Sequence, residues 1–188
     1  MPQEIHYCKT IAKRPPSFFF QQGRTRVGKK ILIIGESLAR NGWIKSGKAF
    51  YTPEGKIVPT GKRLNEELSI LKTRLEECAF TEMAKCYIGN NRKLLFKCGI
   101  LCKDHFLNQV KRFQPKLILS LGIVTKKLLE EIFYKNLKIG KTNKIVFDDR
   151  EFFIFPLYHP SPANPFGHQR NLRFLKREKR SIKTLLKN

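Results

Sequence analysis

The stretch best suited to chemistry is Leu157-Tyr158-His159-Pro160-Ser161-Pro162-Ala163-Asn164-Pro165. Histidine is the side chain whose ordinary titration lies nearest neutral pH. Here it follows a short apolar run, Phe152-Phe153-Ile154-Phe155, and three prolines follow it within six residues. Proline fixes φ and offers no N–H, so the chain leaves a strand in a stiff, defined loop. An imidazole held at the carboxyl end of a strand sits where open α/β sheets bind ligands. A strongly basic segment comes next, with Arg170, Arg173, Lys176, Arg177, Lys179 and Arg180. A titratable group beside a phosphate-attracting surface suggests chemistry on nucleic acid. A turn whose histidine merely packs locally suits the same stretch, and the stretch alone does not choose between them.

The elements that would position this loop can be read from periodicity. Ile31-Leu32-Ile33-Ile34 and Leu117-Ile118-Leu119-Ser120-Leu121 read as strands buried on both faces, as in a parallel sheet. Residues 79–87 form a further strand, and Ile145-Val146-Phe147, Asp148-Asp149 and Phe152 to Phe155 form a hairpin or two strands around a tight turn. Leu64, Leu68, Leu71 and Leu75 predict a helix over 61–77. Cys102, Phe106, Val110 and Phe113 predict another over 98–113, stopped by Pro115, and Val124, Leu128, Leu129 and Ile132 mark a third. From 168 to 188 the chain reads as a basic helix with Leu172, Leu175, Ile182 and Leu185 inward. Residues 1–29 show no periodicity and are expected to be irregular, with Phe18-Phe19-Phe20 packed on the domain or kept for an interface. Strands alternating with helices give an α/β fold: a three-layer α/β/α sandwich around a mainly parallel sheet of about four strands. Residues 1–188 are expected to form one domain. The loops over 35–61, 87–97 and 158–167 then gather at the carboxyl edge of the sheet, bringing Glu36, Asn41, Phe50, Arg92, His159 and Asn164 together.

Composition narrows the partner. The 188 residues carry 38 Lys and Arg against 15 Asp and Glu, a net charge of +23. That excess fits a polyanion, nucleic acid before a membrane surface. No run of eighteen apolar residues is present and no signal peptide is recognised, so neither membrane insertion nor secretion is expected. Five cysteines, Cys8, Cys78, Cys86, Cys98 and Cys102, make an odd set, which with no recognised leader points to reduced thiols in a cytoplasmic protein.

Several pieces recur in a telling order: Ile34-Gly35-Glu36, Gly47-Lys48-Ala49-Phe50, Lys85-Cys86, Asn91-Arg92, Gln114-Pro115-Lys116 with Leu121-Gly122, and His159-Pro160-Ser161. Over roughly residues 30–176 this set resembles the uracil-DNA glycosylase superfamily, most nearly its family 4, the iron–sulfur type. The resemblance implies a monofunctional DNA glycosylase, acting in base-excision repair as a monomer on single- or double-stranded DNA. Such an enzyme flips a deaminated base, uracil or a relative, and hydrolyses its N-glycosidic bond. His159 would stabilise charge on the departing base. Glu36 would orient the attacking water or brace its loop. Phe50 would carry the flipped base, with Gly35 and Ser37 offering backbone N–H groups and Glu82 reading the base edge. Arg92, Ser161, Asn164, Arg170, Arg173 and Lys176 would meet DNA. The alternative is a non-catalytic nucleic-acid-binding protein that keeps the fold.

The chain departs from the family pattern at three places. Leu38-Ala39 stand where Pro-Gly is usual, with no Asp before Phe50. Glu82 replaces the asparagine that reads uracil. An ionised carboxylate offers acceptors only, whereas a protonated one offers a donor and an acceptor. The early Cys-x-x-Cys of the cluster is missing; Cys86 and Cys102 match the family's later pair, and Cys8 and Cys98 would make up four by count for a [4Fe–4S] cluster. No cofactor is therefore favoured.

Overall fold

The computed structural model describes residues 20–21, 23–24, 30–39, 43–89 and 91–187. Cys8, Phe18, Phe19 and Asn41 lie outside the described residues. Among the described residues six strands form one sheet: β1 (Phe20–Gln21), β2 (Ile31–Ser37), β3 (Ala79–Ala84), β4 (Leu117–Leu121), β5 (Asn143–Phe147) and β6 (Arg150–Leu157). Their order is β1-β3-β2-β4-β6-β5. The four central strands are parallel, and β1 and β5 pair antiparallel at the two edges. The helices among the described residues are α1 (Trp43–Ser46), α2 (Pro59–Ser69), α3 (Arg92–Leu101), α4 (Lys103–Phe113), α5 (Ile123–Phe133) and α6 (Pro165–Lys187).

Alternation along the strands builds the layers. Ile31, Ile33, Leu117, Leu119 and Phe155 face one side, where Leu64 and Leu68 of α2 and Leu175, Ile182 and Leu186 of α6 cover them. Leu32, Ile34, Ile118 and Ile154 face the other, under Phe106, Val110 and Phe113 of α4 and Leu128 and Leu129 of α5. Because both faces are covered, β2 and β4 can be apolar almost throughout. The α/β sandwich is thus present, with two edge strands added to the central four.

Several boundaries differ from the sequence reading. Phe20–Gln21 is not irregular: it adds a short strand to β3, and the Phe20 ring meets Phe113 edge-on at 5.5 Å. The helix expected over 61–77 ends at Ser69, because Lys72 adopts a left-handed φ of 57°. Leu71 and Leu75 are still buried, delivered by a turn and a 3₁₀ segment (Leu75–Glu77). The loop expected over 87–97 is largely helix α3, because the Asn91 side chain accepts the Leu94 N–H at 3.0 Å and caps it. The single helix expected over 98–113 is two, broken at Cys102 (φ −90°, ψ 3°). In α6, Leu186 is buried while Leu172 and Leu185 are only half-buried. The hairpin closes as expected, with Asp148 and Asp149 at φ 56° and 55°.

Candidate active site

The carboxyl ends of the parallel strands bring four segments together. Gly35 of β2 lies directly beside Glu82 of β3, and Leu121 of β4 beside Leu157 of β6. The Gly122 N–H donates to the Leu157 carbonyl at 2.9 Å, which ties the end of β4 to the start of the histidine loop. Gly122 has φ +98°, and a Cβ there would lie 2.5 Å from Glu36 Oε1. Glycine is therefore needed twice at this point, for its backbone angle and for the close approach of the Glu36 carboxylate.

Glu36 is ion-paired with Arg92 at the start of α3, whose side chain is 66% exposed. His159 belongs to the same electrostatic group. Burial holds its imidazole below the usual histidine range, with the Glu36 carboxylate opposing the shift and the Arg92 guanidinium adding to it. A neutral ring still presents an N–H donor, and carries no positive charge into the pocket.

Glu82 is buried on the face of β3 that carries Phe80 two residues earlier. Its Oε2 is buried without a hydrogen-bond partner. The carboxyl lies over Gly35, where a Cβ would come within 2.1 Å of Oε2. Burial drives its proton affinity well above the ordinary carboxyl range; Lys85 opposes this and Glu36 reinforces it. Lys85 is itself buried, and burial lowers its pKa to about 8 against the pull of Glu82 and Cys102. Its ammonium donates to Thr81 Oγ1, to the Glu82 carbonyl at 2.5 Å and to Gln109 Oε1 at 3.0 Å. Phe50 lies on the same side of the sheet. It is half-buried, adopts φ 65°, and meets Phe80 edge-on at 4.5 Å.

A buried polar network holds the histidine loop from behind. Asn171 of α6 accepts the Tyr158 N–H at 2.9 Å and donates to the Tyr158 carbonyl at 2.8 Å, clamping the residue before His159. The same amide donates to Glu67 Oε1 of α2 at 3.0 Å, and His168 Nδ1 lies 2.8 Å from that oxygen. Burial raises the Glu67 pKa to about 7, with the His168 and Asn171 hydrogen bonds opposing it. Ahead of α6, Arg63 donates to the Ser161 carbonyl at 2.8 Å, and Asn164 Oδ1 accepts the Gly167 N–H at 3.0 Å as a helix cap.

Arg170, Arg173 and Lys176 stand exposed along α6 beyond the loop. Arg170 leans over the Tyr158 ring, 5.6 Å from its centroid. Arg177 is partly spoken for: it donates to the Gly140 carbonyl at 2.8 Å. Of the residues singled out from sequence, Gly35, Glu36, Ser37, Phe50, Glu82, Arg92 and His159 all lie at or near this one edge. Lys85 and Gly122 stood only as parts of motifs with no role assigned, and Glu67, His168 and Asn171 were not anticipated.

The family-4 likeness raises a four-thiolate cluster, which can be tested against the thiols. Cys86, Cys98 and Cys102 are each buried, and Cys86 and Cys98 pack with Ala84, Ile88 and Leu95 in a small apolar cluster. Among the described residues no three His, Cys, Asp or Glu side chains are arranged to hold a metal ion. The described thiols do not by themselves make a cluster site, and no step below is routed through one.

A family model for the uracil DNA glycosylase superfamily matches residues 22–181. The chain belongs to the uracil-DNA glycosylase superfamily. Among curated proteins it is similar to a type-4 uracil-DNA glycosylase of Sulfurisphaera tokodaii, 28% identical over 139 residues, which are 71% of this chain and 60% of that protein. It is also similar to a type-4 uracil-DNA glycosylase of Archaeoglobus fulgidus, 23% identical over 164 residues, 85% of this chain and 79% of that one. The chain thus spans about 60% of the length of the first of these relatives. The superfamily membership agrees with the α/β fold. Among the described residues no helix is long and apolar enough to cross a membrane.

Proposed function

We propose that this protein removes a deaminated base, uracil or a close relative, from DNA by hydrolysing its N-glycosidic bond. The observation that carries the reading is the cluster of His159, Glu36 and Glu82 at one sheet edge, with the half-buried Phe50 on the same side of the sheet as Glu82. A base inside a duplex cannot reach such an edge, so it must be flipped out, and Phe50 supplies a ring for it to lie on. The bond between C1′ and the base nitrogen breaks with its electron pair leaving on the base. A neutral His159 donates a hydrogen bond to the base oxygen where that charge gathers. Water attacks C1′ from the other side, oriented by Glu36; as the new C–O bond forms its proton is lost to solvent, and the departing base anion takes one up. Arg92, Arg170, Arg173 and Lys176 meet the phosphates, in keeping with the net charge of +23. Ser161 and Asn164 shape the stiff loop between His159 and α6, where a DNA strand would pass.

One observation favours the other reading, a DNA-binding protein without turnover: Glu36 is already engaged by Arg92. The discriminating experiment is a panel of single-lesion oligonucleotides in single and double strand, treated with alkali after incubation. Strand breaks at the lesion are expected for uracil. Tight binding with no break at any lesion would favour the second reading.

A further inference from the structure

Resting on that proposed reading, we infer that Glu82 reads the flipped base as a neutral carboxylic acid, which makes lactam-edged bases, with uracil foremost, the substrate class. Glu82 Oε2 is buried and has no hydrogen-bond partner. It fills the space over Gly35 that a side chain would need, where even a methyl group would collide with it. A carboxylate in such a place needs a cation to offset its lost hydration.

The cation at hand does not reach it. Lys85 directs its ammonium to Thr81 Oγ1, to the Glu82 backbone carbonyl and to Gln109 Oε1 rather than to the Glu82 carboxyl. The remaining charged neighbours are unhelpful or occupied. Glu36, next to Gly35 on β2, is a like charge, and Arg92 is paired with Glu36. His159, across the edge, is held neutral by burial. The carboxyl therefore keeps its proton.

A neutral carboxyl presents one O–H donor and one C=O acceptor side by side. Uracil presents N3–H beside the O4 carbonyl, so each group finds its complement. The match is the one a primary amide makes, so a glutamate at this position does not exclude uracil. An ionised Glu82 would keep the N3–H contact and turn a second lone pair on O4, leaving a buried carbonyl unpaired. Cytosine, with an amino group beside a ring nitrogen, could also pair with a neutral carboxyl. It is excluded at the next step, because a lactam base spreads the departing charge over two carbonyl oxygens and cytosine has only one. Xanthine shares the lactam edge and has two carbonyl oxygens, so it falls in the same class.

The test compares the wild type, Glu82→Gln and Glu82→Ala by two readouts. The first is the infrared absorption of protonated carboxyl groups in the free protein at neutral pH. The wild type should show a band that the Glu82→Gln protein lacks. The second is single-turnover release of uracil from a single-stranded oligonucleotide. Glu82→Gln keeps a permanent donor and acceptor and should stay within about fivefold of wild type, whereas Glu82→Ala should lose roughly 10–100-fold, the scale of one or two lost buried hydrogen bonds. Absence of the band difference, or wild-type release by Glu82→Ala, would overturn the inference. If the band is present but none of the three proteins releases a base from any lesion, the glycosylase reading fails and the protonation of Glu82 stands.

Discussion

Truncating Asn171 to alanine should destabilise the protein severely and slow it specifically at the histidine loop. The side chain is fully buried and joins three partners: the Tyr158 N–H at 2.9 Å, the Tyr158 carbonyl at 2.8 Å and Glu67 Oε1 at 3.0 Å. Asn171→Ala leaves the N–H and carbonyl of Tyr158 without this partner, and Glu67 with one donor fewer. Each buried polar group left unpaired costs about 1–3 kcal/mol, so two orphans imply roughly 2–6 kcal/mol. Dividing a middle value of about 4 kcal/mol by a urea slope of about 2 kcal/mol/M, ordinary for a chain of this size, gives a midpoint shift of about 2 M. Trp43 is the only tryptophan and is buried against Phe80 at 5.2 Å, so its fluorescence reports the transition. Under native conditions the variant should bind a uracil oligonucleotide nearly as well as wild type and release the base more slowly, because His159 is no longer held by its neighbour. A midpoint shift below about 0.3 M would show that the clamp carries little of the stability assigned to it. An unchanged release rate would detach it from the chemistry.

Two further predictions follow from the charges. Glu67 holds its proton to about pH 7 in the folded protein but releases it near the ordinary 4.5 when unfolded, so the folded state binds more protons between those values. Stability should therefore fall as pH rises from about 4.5 to about 7 and then level off, and Glu67→Gln should remove that slope in paired urea titrations at both ends of the window. Arg173→Ala combined with Lys176→Ala should flatten the plot of log affinity against log salt by about 1.8 on duplex DNA, at ~0.9 for each lost phosphate contact, and an unchanged slope would move the DNA track off α6.

The sheet was legible because its strands are short, dense apolar runs such as Ile31-Leu32-Ile33-Ile34, which have no solvent-facing alternative. The helices were legible where a leucine stripe and a helix coincide, as in α2. Beyond Ser69 the same leucine spacing is carried by a turn, and side-chain period alone cannot tell the two apart. The start of α3 fell inside the loop expected over 87–97 because an asparagine such as Asn91 suits a turn as well as a helix cap, and residue type alone does not choose between them. The site residues at the sheet edge were found through ordered motifs that resemble a family. What those motifs could not give is contact across strands. The Glu82 carboxyl over Gly35, and Glu36 over Gly122, depend on register and on the space left by a missing Cβ. The network behind the loop did leave a trace: Glu67 lies between Leu64 and Leu68 on the apolar stripe of α2, and His168, Asn171 and Leu175 share one face of α6. A charged or amide residue on an inward stripe signals a buried polar contact, and that signal was present to be read.

The most direct test of the whole account is the rate of uracil release by wild type and by His159→Ala. A uracil-containing single strand would be followed under single-turnover conditions, with affinity for the same strand measured in parallel. The wild type should release the base, and the variant should lose roughly 10²–10³ in rate, the scale for removing one donor to a developing anion, with affinity changed only severalfold. Release by His159→Ala at the wild-type rate, or binding by the wild type with no base released, would contradict it.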